Sequence, residues 1–257
     1  MAQAQLPVST ATLSAFLLVL ARTGAWVVTA PVLSAKGMSS VGRLAAAVAL
    51  AVFVTPMIPA TQVPTQLPSY VSAVLGQVVV GLALGFLTNL LFAAFEVAGT
   101  LADLSGGFSY ASIVDPLSGQ PAAAFSRLFT VCFSAIFFAS DAYQTVVGGF
   151  VRSFKGIPLD HLPVLSAGVA TTLGHAVTQV LLSAVEVAAP LLGVLFLTDV
   201  ALSFAARFVP QANALALAMP VKTLVALSAG GATLALLPAH AARLLDPALN
   251  LPFEVLR

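Results

Sequence analysis

Charge is what this chain has least of. Only 7% of its 257 residues are Asp, Glu, Lys or Arg, against 60% that are hydrophobic, and the mean hydropathy is +1.05. Soluble domains carry about 25% charged residues, so a surface made from this sequence would not stay in water. The chain belongs in a membrane, or among other subunits of the same kind. Its formal net charge is +1 and it has no run of Lys or Arg, so no long-range field draws nucleic acid to it. Cysteine is nearly missing: Cys132 stands alone in LFTVCFSAIFF, excludes an internal disulfide and reads as packing. His161, His175 and His240 are far apart with no close ligand spacing, so no metal site is expected. HExxH, P-loop and GxSxG patterns are absent. Asp141 and Asp199 could be imagined as an intramembrane aspartyl dyad, but nothing flanking them supports it. Catalysis and a cofactor are therefore not expected. Strand signals are poor, since Ala and Leu dominate runs that far exceed strand length, and the class is all-α. The opening MAQAQLPVST has no basic region before its apolar run, so a cleaved signal peptide is not expected.

What the chain does have is long apolar runs, each with a polar stripe. A first helix is expected over Thr10 to Leu33, capped by Ser9 or Thr10 and closed by Pro31. Arg22 sits in its middle, where a charge facing lipid costs at least about 2.5 kcal/mol, so it should meet protein or water, with a carboxylate on another helix as the expected partner. A second helix is expected over Val41 to Thr55, followed by the proline-rich connector PMIPATQVPTQLP. The third, Ser69 to Leu104, is about 35 residues long, well past the ~20 that cross a bilayer. Gly81 and Gly85 give it a small-residue face for close helix contact. Asn89, Glu96 and Asp103, spaced seven apart, form either a polar seam between helices or a water-facing pore wall.

A fourth helix is expected over Ala122 to Phe154, with Arg127, Ser134, Asp141, Gly148 and Arg152 as its stripe. A fifth, Val164 to Val209, is interrupted by Pro190. Its first half carries Thr172, His175, Gln179, Ser183 and Glu186 on one face; in its second half Asp199, Ser203 and Arg207 permit an internal ion pair. The turn VPQANALALAMPVK precedes a last helix over Val221 to Asp246. Basic residues in the first, fourth and fifth loops give no clean orientation by the positive-inside rule. Hairpins that turn back without crossing would account for that.

The most polar, glycine-rich passage is EVAGTLADLSGGFSYASIVDPLSGQP, Glu96 to Pro121. Backbone that leaves the helix in such a chain must be shielded by protein or face water. Ser105, Gly106 and Gly107 allow a sharp turn, Phe108, Tyr110 and Ile113 offer bulk, and Asp115-Pro116 stiffens the return. The segment reads as a plug in an aqueous route or as an ordinary connecting loop whose aromatics pack down. An ion-coupled transporter using Glu96, Asp141, Glu186 and Asp199 as a proton relay is a rival function, though the repeat halves common in transporters are not evident.

An ordered set of residues resembles the FliR family of flagellar biosynthetic proteins, whose virulence counterparts serve in injectisomes. The set is Arg22 with Pro31, Glu96-x-x-Gly99 leading into GGFSYASIVDP, Asp141, SFKGIP at 153–158, Ala189-Pro190, RFVPQAN at 207–213, and Pro220 with Lys222. Met38 departs from a more usual proline. Asp141-Ala142-Tyr143 departs from the family's Asp-Gly-His, so no role of that histidine transfers. The resemblance implies an integral membrane subunit of a closed-ended helical export gate, joined to FliP and FliQ with FlhB and FlhA as further partners. The gate lies in the bacterial inner membrane at the flagellar basal body and passes unfolded flagellar subunits. Residues 1–160 would be FliP-like and 161–257 FliQ-like. Within 104–121, Gly106, Gly107, Phe108, Ser109, Tyr110, Ile113, Asp115 and Pro116 would form the plug. Arg22, Asn89, Glu96, Asp103, Asp141, Glu186, Asp199 and Arg207 would supply polar helix contacts.

Overall fold

The computed structural model describes residues 10–31, 39–59, 63–64, 66–108, 124–160, 167–208 and 214–248. Among the described residues the chain is helical without strands: α1 Thr10–Thr29, α2 Ser40–Val54, α3 Leu67–Gly106, α4 Ala124–Ala139, α5 Ala142–Gly156, α6 Ala167–Phe208 and α7 Ala214–Ala248. Local chemistry explains several boundaries. Ser39 Oγ caps α2 by accepting from the Gly42 N–H at 3.1 Å. The helix gives way to a 3-10 turn, Thr55–Met57, where Pro56 removes a donor. Pro190 lies inside α6, as membrane helices tolerate when neighbours resatisfy the freed carbonyl.

Two expectations are corrected. The run 122–154 is not one helix. It is α4 and α5, bent by 74° at Asp141, whose φ is 55°. Neither Gly nor Pro marks the break, so periodicity ran through it unseen. The stripe from Arg127 to Arg152 is thus divided, with Arg127 and Ser134 before the bend and Gly148 and Arg152 after it. The last helix begins at Ala214 rather than Val221, because Pro220 is absorbed into its early turns instead of ending a turn. Ser9 and His161 lie outside the described residues.

Five helical segments are long and apolar enough to cross a membrane: Thr10–Thr29, Ser40–Met57, Leu67–Gly106, Gly174–Phe208 and Pro220–Arg243. The bent pair α4 and α5 makes a sixth if the two count as one span. At 40 residues, α3 is about 60 Å long, twice the ~30 Å hydrocarbon thickness.

The chain packs into two compact units. The first contains 1–89, 143–174 and 249–257. Its core is Leu18, Val19, Trp26, Ala51, Val80, Leu84, Phe150 and Phe154 with their neighbours. Gly81 and Gly85 set the crossing of α1 and α3: a Cβ on Gly81 would lie 2.8 Å from Ala25 Cβ, and one on Gly85 2.7 Å from Thr29 Cβ. The small-residue face foreseen in sequence does bring these backbones together.

The second unit contains 90–142 and 175–248. Its core is a phenylalanine ladder. Phe125, Phe129, Phe133 and Phe137 recur every four residues on α4 and are all buried. Phe95 stacks on Phe133 at 4.0 Å, while Phe92 meets Phe133 and Phe137 edge-on at 4.9 and 5.3 Å. α7 packs along α4, where Gly230 leaves room for the Phe125 ring: a Cβ there would lie 2.7 Å from Cζ.

Candidate functional site at the junction of α3 and α4

The described part of the polar passage is its root, and one carboxylate organises it. Asp103 is only 2% exposed. Its Oδ1 accepts from the Phe125 N–H at 2.9 Å and its Oδ2 from the Ser126 N–H at 3.0 Å. Both donors belong to the first turn of α4, where backbone N–H groups have no partner within the helix. On α3 the same residue closes the helix end. The Phe108 N–H donates to Asp103 O at 3.1 Å and the Gly107 N–H to Leu104 O at 3.4 Å, with Gly107 at φ 79°. That is a Schellman stop, and it needs a residue tolerant of left-handed backbone. Phe108 then folds back, its ring meeting Phe125 edge-on at 5.4 Å.

One α3 face completes the junction. Gly99 lies so close to α4 that a Cβ would come 2.6 Å from Ser126 N. Ser126 Oγ donates to Glu96 O at 3.2 Å, and Thr100 Oγ1 lies 3.4 Å from Ser126 Oγ. Glu96, Gly99, Thr100 and Asp103 fall at i, i+3, i+4 and i+7, one helical stripe. The described ends on either side of residues 109–123 therefore meet at one place. Gly106, Gly107 and Phe108 belong to its root; Ser109, Tyr110, Ile113, Asp115 and Pro116 lie outside the described residues.

The other polar contacts are placed as follows. Arg22 is fully buried in the first unit, and the expected carboxylate partner is corrected. Its Nε donates to Gln77 Oε1 at 2.6 Å, one terminal nitrogen to Ser153 Oγ at 3.3 Å and the other to Ile157 O at 2.9 Å. Its guanidinium carbon sits 4.2 Å from the Phe154 ring centre. Gln77 is held in turn through Nε2 to Leu159 O at 3.2 Å. Every one of these partners is neutral. Trp26, one turn on, stacks on Phe150 at 4.5 Å.

The pairing of Asp199 with Arg207 is also corrected. Lys222 on α7 reaches Asp199 at 2.7 and 2.8 Å, and Arg207 is exposed. Eight residues along one helix span about 12 Å, whereas the neighbouring helix brings Lys222 alongside. Asn89, Glu96, Asp141 and Glu186 are exposed on the chain by itself. Of the seam at 89, 96 and 103, only Asp103 is covered, because α4 docks there. Sequence reasoning missed Gln77 and Ser153, which carry no distinguishing signal. It also missed the phenylalanine ladder, whose four-residue spacing was there to be read.

The architecture defines the class first: an all-α integral membrane protein with helices twice as long as a bilayer is thick, and with a broken helix pair. The family model described as bacterial export proteins, family 1, matches residues 13–248, and the chain belongs to that family. It is similar to the flagellar biosynthetic protein FliR of Bacillus subtilis, 29% identical over 216 residues, 82% of each chain. The FliR protein of Escherichia coli is 26% identical over 237 residues, 92% of this chain and 90% of the relative. The Yop proteins translocation protein T of Yersinia pestis is 30% identical over 151 residues, 58% of each.

Proposed function

We propose that this chain is a subunit of the flagellar type III protein export gate, contributing channel wall and, through residues 104–121, the plug that blocks small solutes. The observation that carries the first part is the likeness to FliR proteins along most of the chain's length. The likeness to injectisome proteins is confined to a shorter stretch, which favours the flagellar system. Membership of the bacterial export protein family supports a structural rather than catalytic task. Its partners are FliP-like and FliQ-like subunits, with FlhB and FlhA adjoining, in the bacterial inner membrane at the basal body. Residues 1–160 stand in for a FliP-like arm and 161–257 for a FliQ-like hairpin. Energy for transport comes from other components, so this chain gates passively.

What supports the plug is the root geometry. A segment whose two ends are fixed together by Asp103, Gly107 and Phe108 can project into a lumen and still leave the helices beside it in place. Phe108, Tyr110 and Ile113 supply its bulk, and Asp115-Pro116 its stiff return. Replacing residues 110–119 with a short Gly-Ser linker spares the root. The expected result is increased permeability of membranes containing the assembled gate to small solutes, with normal recovery of the complex. A fully assembled gate with no added leak would rule the plug out. Co-purification also separates the gate from a transporter: the gate subunit must emerge with FliP-like and FliQ-like partners, whereas a stable lone chain that moves a small solute would favour transport.

A further inference from the structure

We propose that Asp103 is a positioning residue that sets the register of α4 on α3, so that the intervening residues 109–123 are relieved of that task. The idea bears on the plug reading, since a plug needs sequence free to serve the lumen, but its test is separate.

A helix normally receives its first hydrogen bonds from the side chain just before it, aimed at the second and third N–H groups. α4 begins at Ala124, so those groups are Phe125 and Ser126, the two donors that Asp103 accepts from. The residues that precede the helix in sequence are Pro121, Ala122 and Ala123, none with a side-chain acceptor. The cap is instead supplied from 22 and 23 residues upstream, across the whole intervening segment. A negative group at a helix N-terminus also gains from the helix dipole, and bonds made to an ionised carboxylate are the stronger kind.

Two oxygens on two successive N–H groups fix both the height and the rotation of α4. A shift in height or a rotation alone breaks at least one of these bonds. A screw slip of one residue, which offers Asp103 another pair of free first-turn N–H groups, loses the Ser126 Oγ bond to the Glu96 carbonyl. The α3 stripe around Asp103 accepts only this register. Gly99 makes room for the Phe125–Ser126 backbone, and Ser126 Oγ reaches the Glu96 carbonyl one turn away. The phenylalanine ladder below is less selective, because stacked and edge-on rings recur at every turn and slide past one another more easily than paired hydrogen bonds.

The experiment is disulfide trapping in the full-length chain within its membranes, with Cys132→Ala to remove the native thiol. Thr100→Cys and Ser126→Cys replace two hydroxyls now 3.4 Å apart, and the rate of disulfide formation reports register. With Asp103 present, trapping is fast, and it stays fast when residues 110–119 are replaced by a Gly-Ser linker of equal length. Asp103→Ala slows it by about tenfold or more. Adding Ala123→Asp to Asp103→Ala supplies a local cap; it restores hydrogen-exchange protection at the start of α4 but not the trapping rate. If the Asp103→Ala chain does not accumulate, Asp103→Asn, which keeps one acceptor oxygen, traps at an intermediate rate. An unchanged rate in either variant overturns the proposal, as does full recovery of trapping by the local cap or a slowed rate with the linker. A linker chain that traps normally yet shows no solute leak leaves Asp103 in its role and removes only the plug.

Discussion

Arg22 is a buried cation held by neutral groups, and its environment sets what substitutions there should do. Removing its side chain strands Gln77 Oε1 and the Ile157 carbonyl, while Ser153 Oγ keeps its bond to the Phe150 carbonyl, and each stranded buried group costs about 1–3 kcal/mol. Arg22→Met is therefore expected to lower unfolding stability by on the order of 3 kcal/mol. Gln77→Leu, which leaves the cation short of its nearest acceptor, should cost a similar amount. The double variant should cost less than the two together, since the polar group and its partner leave in one step. Thermal unfolding in detergent reads all three, and strictly additive losses would show that the pair is not coupled. Sequence alone indicated that Arg22 had to be shielded. It could not indicate by what, because a glutamine on a helix more than fifty residues away looks like any other polar residue.

Among the elements, the bend between α4 and α5 and the crossing of α1 with α3 are the informative ones. Asp141 holds left-handed backbone at φ 55°, which costs an L-residue with a side chain about 1–2 kcal/mol relative to glycine. Asp141→Gly should thus stabilise by up to about 1 kcal/mol and Asp141→Val should destabilise by more, with the 74° bend kept in the first. A melting temperature lowered by the glycine would mean that the carboxylate, and not the turn, is what matters there. At the helix crossing, Gly85→Leu must push α3 away from Thr29 and Trp26 of α1, since even a single added carbon meets them. Loss of folded chain is expected, with Gly148→Ala, which has open space around it, as the harmless control. The Gly81 and Gly85 spacing was legible in sequence because close helix contact has one simple chemical requirement. The bend was not, since Ser140-Asp141 is a weak turn signal, without Gly or Pro, inside an otherwise helical pattern.

At the scale of the whole molecule, the exposed carboxylates Glu96 and Glu186 stand on apolar, membrane-length helices. A charge facing lipid at mid-bilayer costs about 2.5 kcal/mol or more, so these groups call for a partner subunit or water. Glu96→Leu is expected to reduce the recovery of the export complex that contains this chain, and Glu96→Gln to do so less. Normal yield and heat resistance of the purified complex with Glu96→Leu would assign Glu96 to water. The Asp199 and Lys222 pair behaves differently: joined within the chain, with the Asp199 carboxylate half exposed, it should contribute no more than about 1 kcal/mol, so Lys222→Met should leave stability nearly unchanged.

The sequence by itself determined that this protein is helical and membrane-embedded, and it singled out residues 96–121 as the most polar, glycine-rich passage. Those conclusions rest on composition and periodicity, which are properties of the chain read one stretch at a time. Only the tertiary structure decided that Arg22 rests among neutral groups, that Asp199 meets Lys222, that Phe92 and Phe95 pack on the α4 phenylalanines, and that Asp103 caps a helix it does not adjoin in sequence. Each of these is a contact between residues distant along the chain. Such contacts depend on which helix faces approach one another, and no local pattern encodes that.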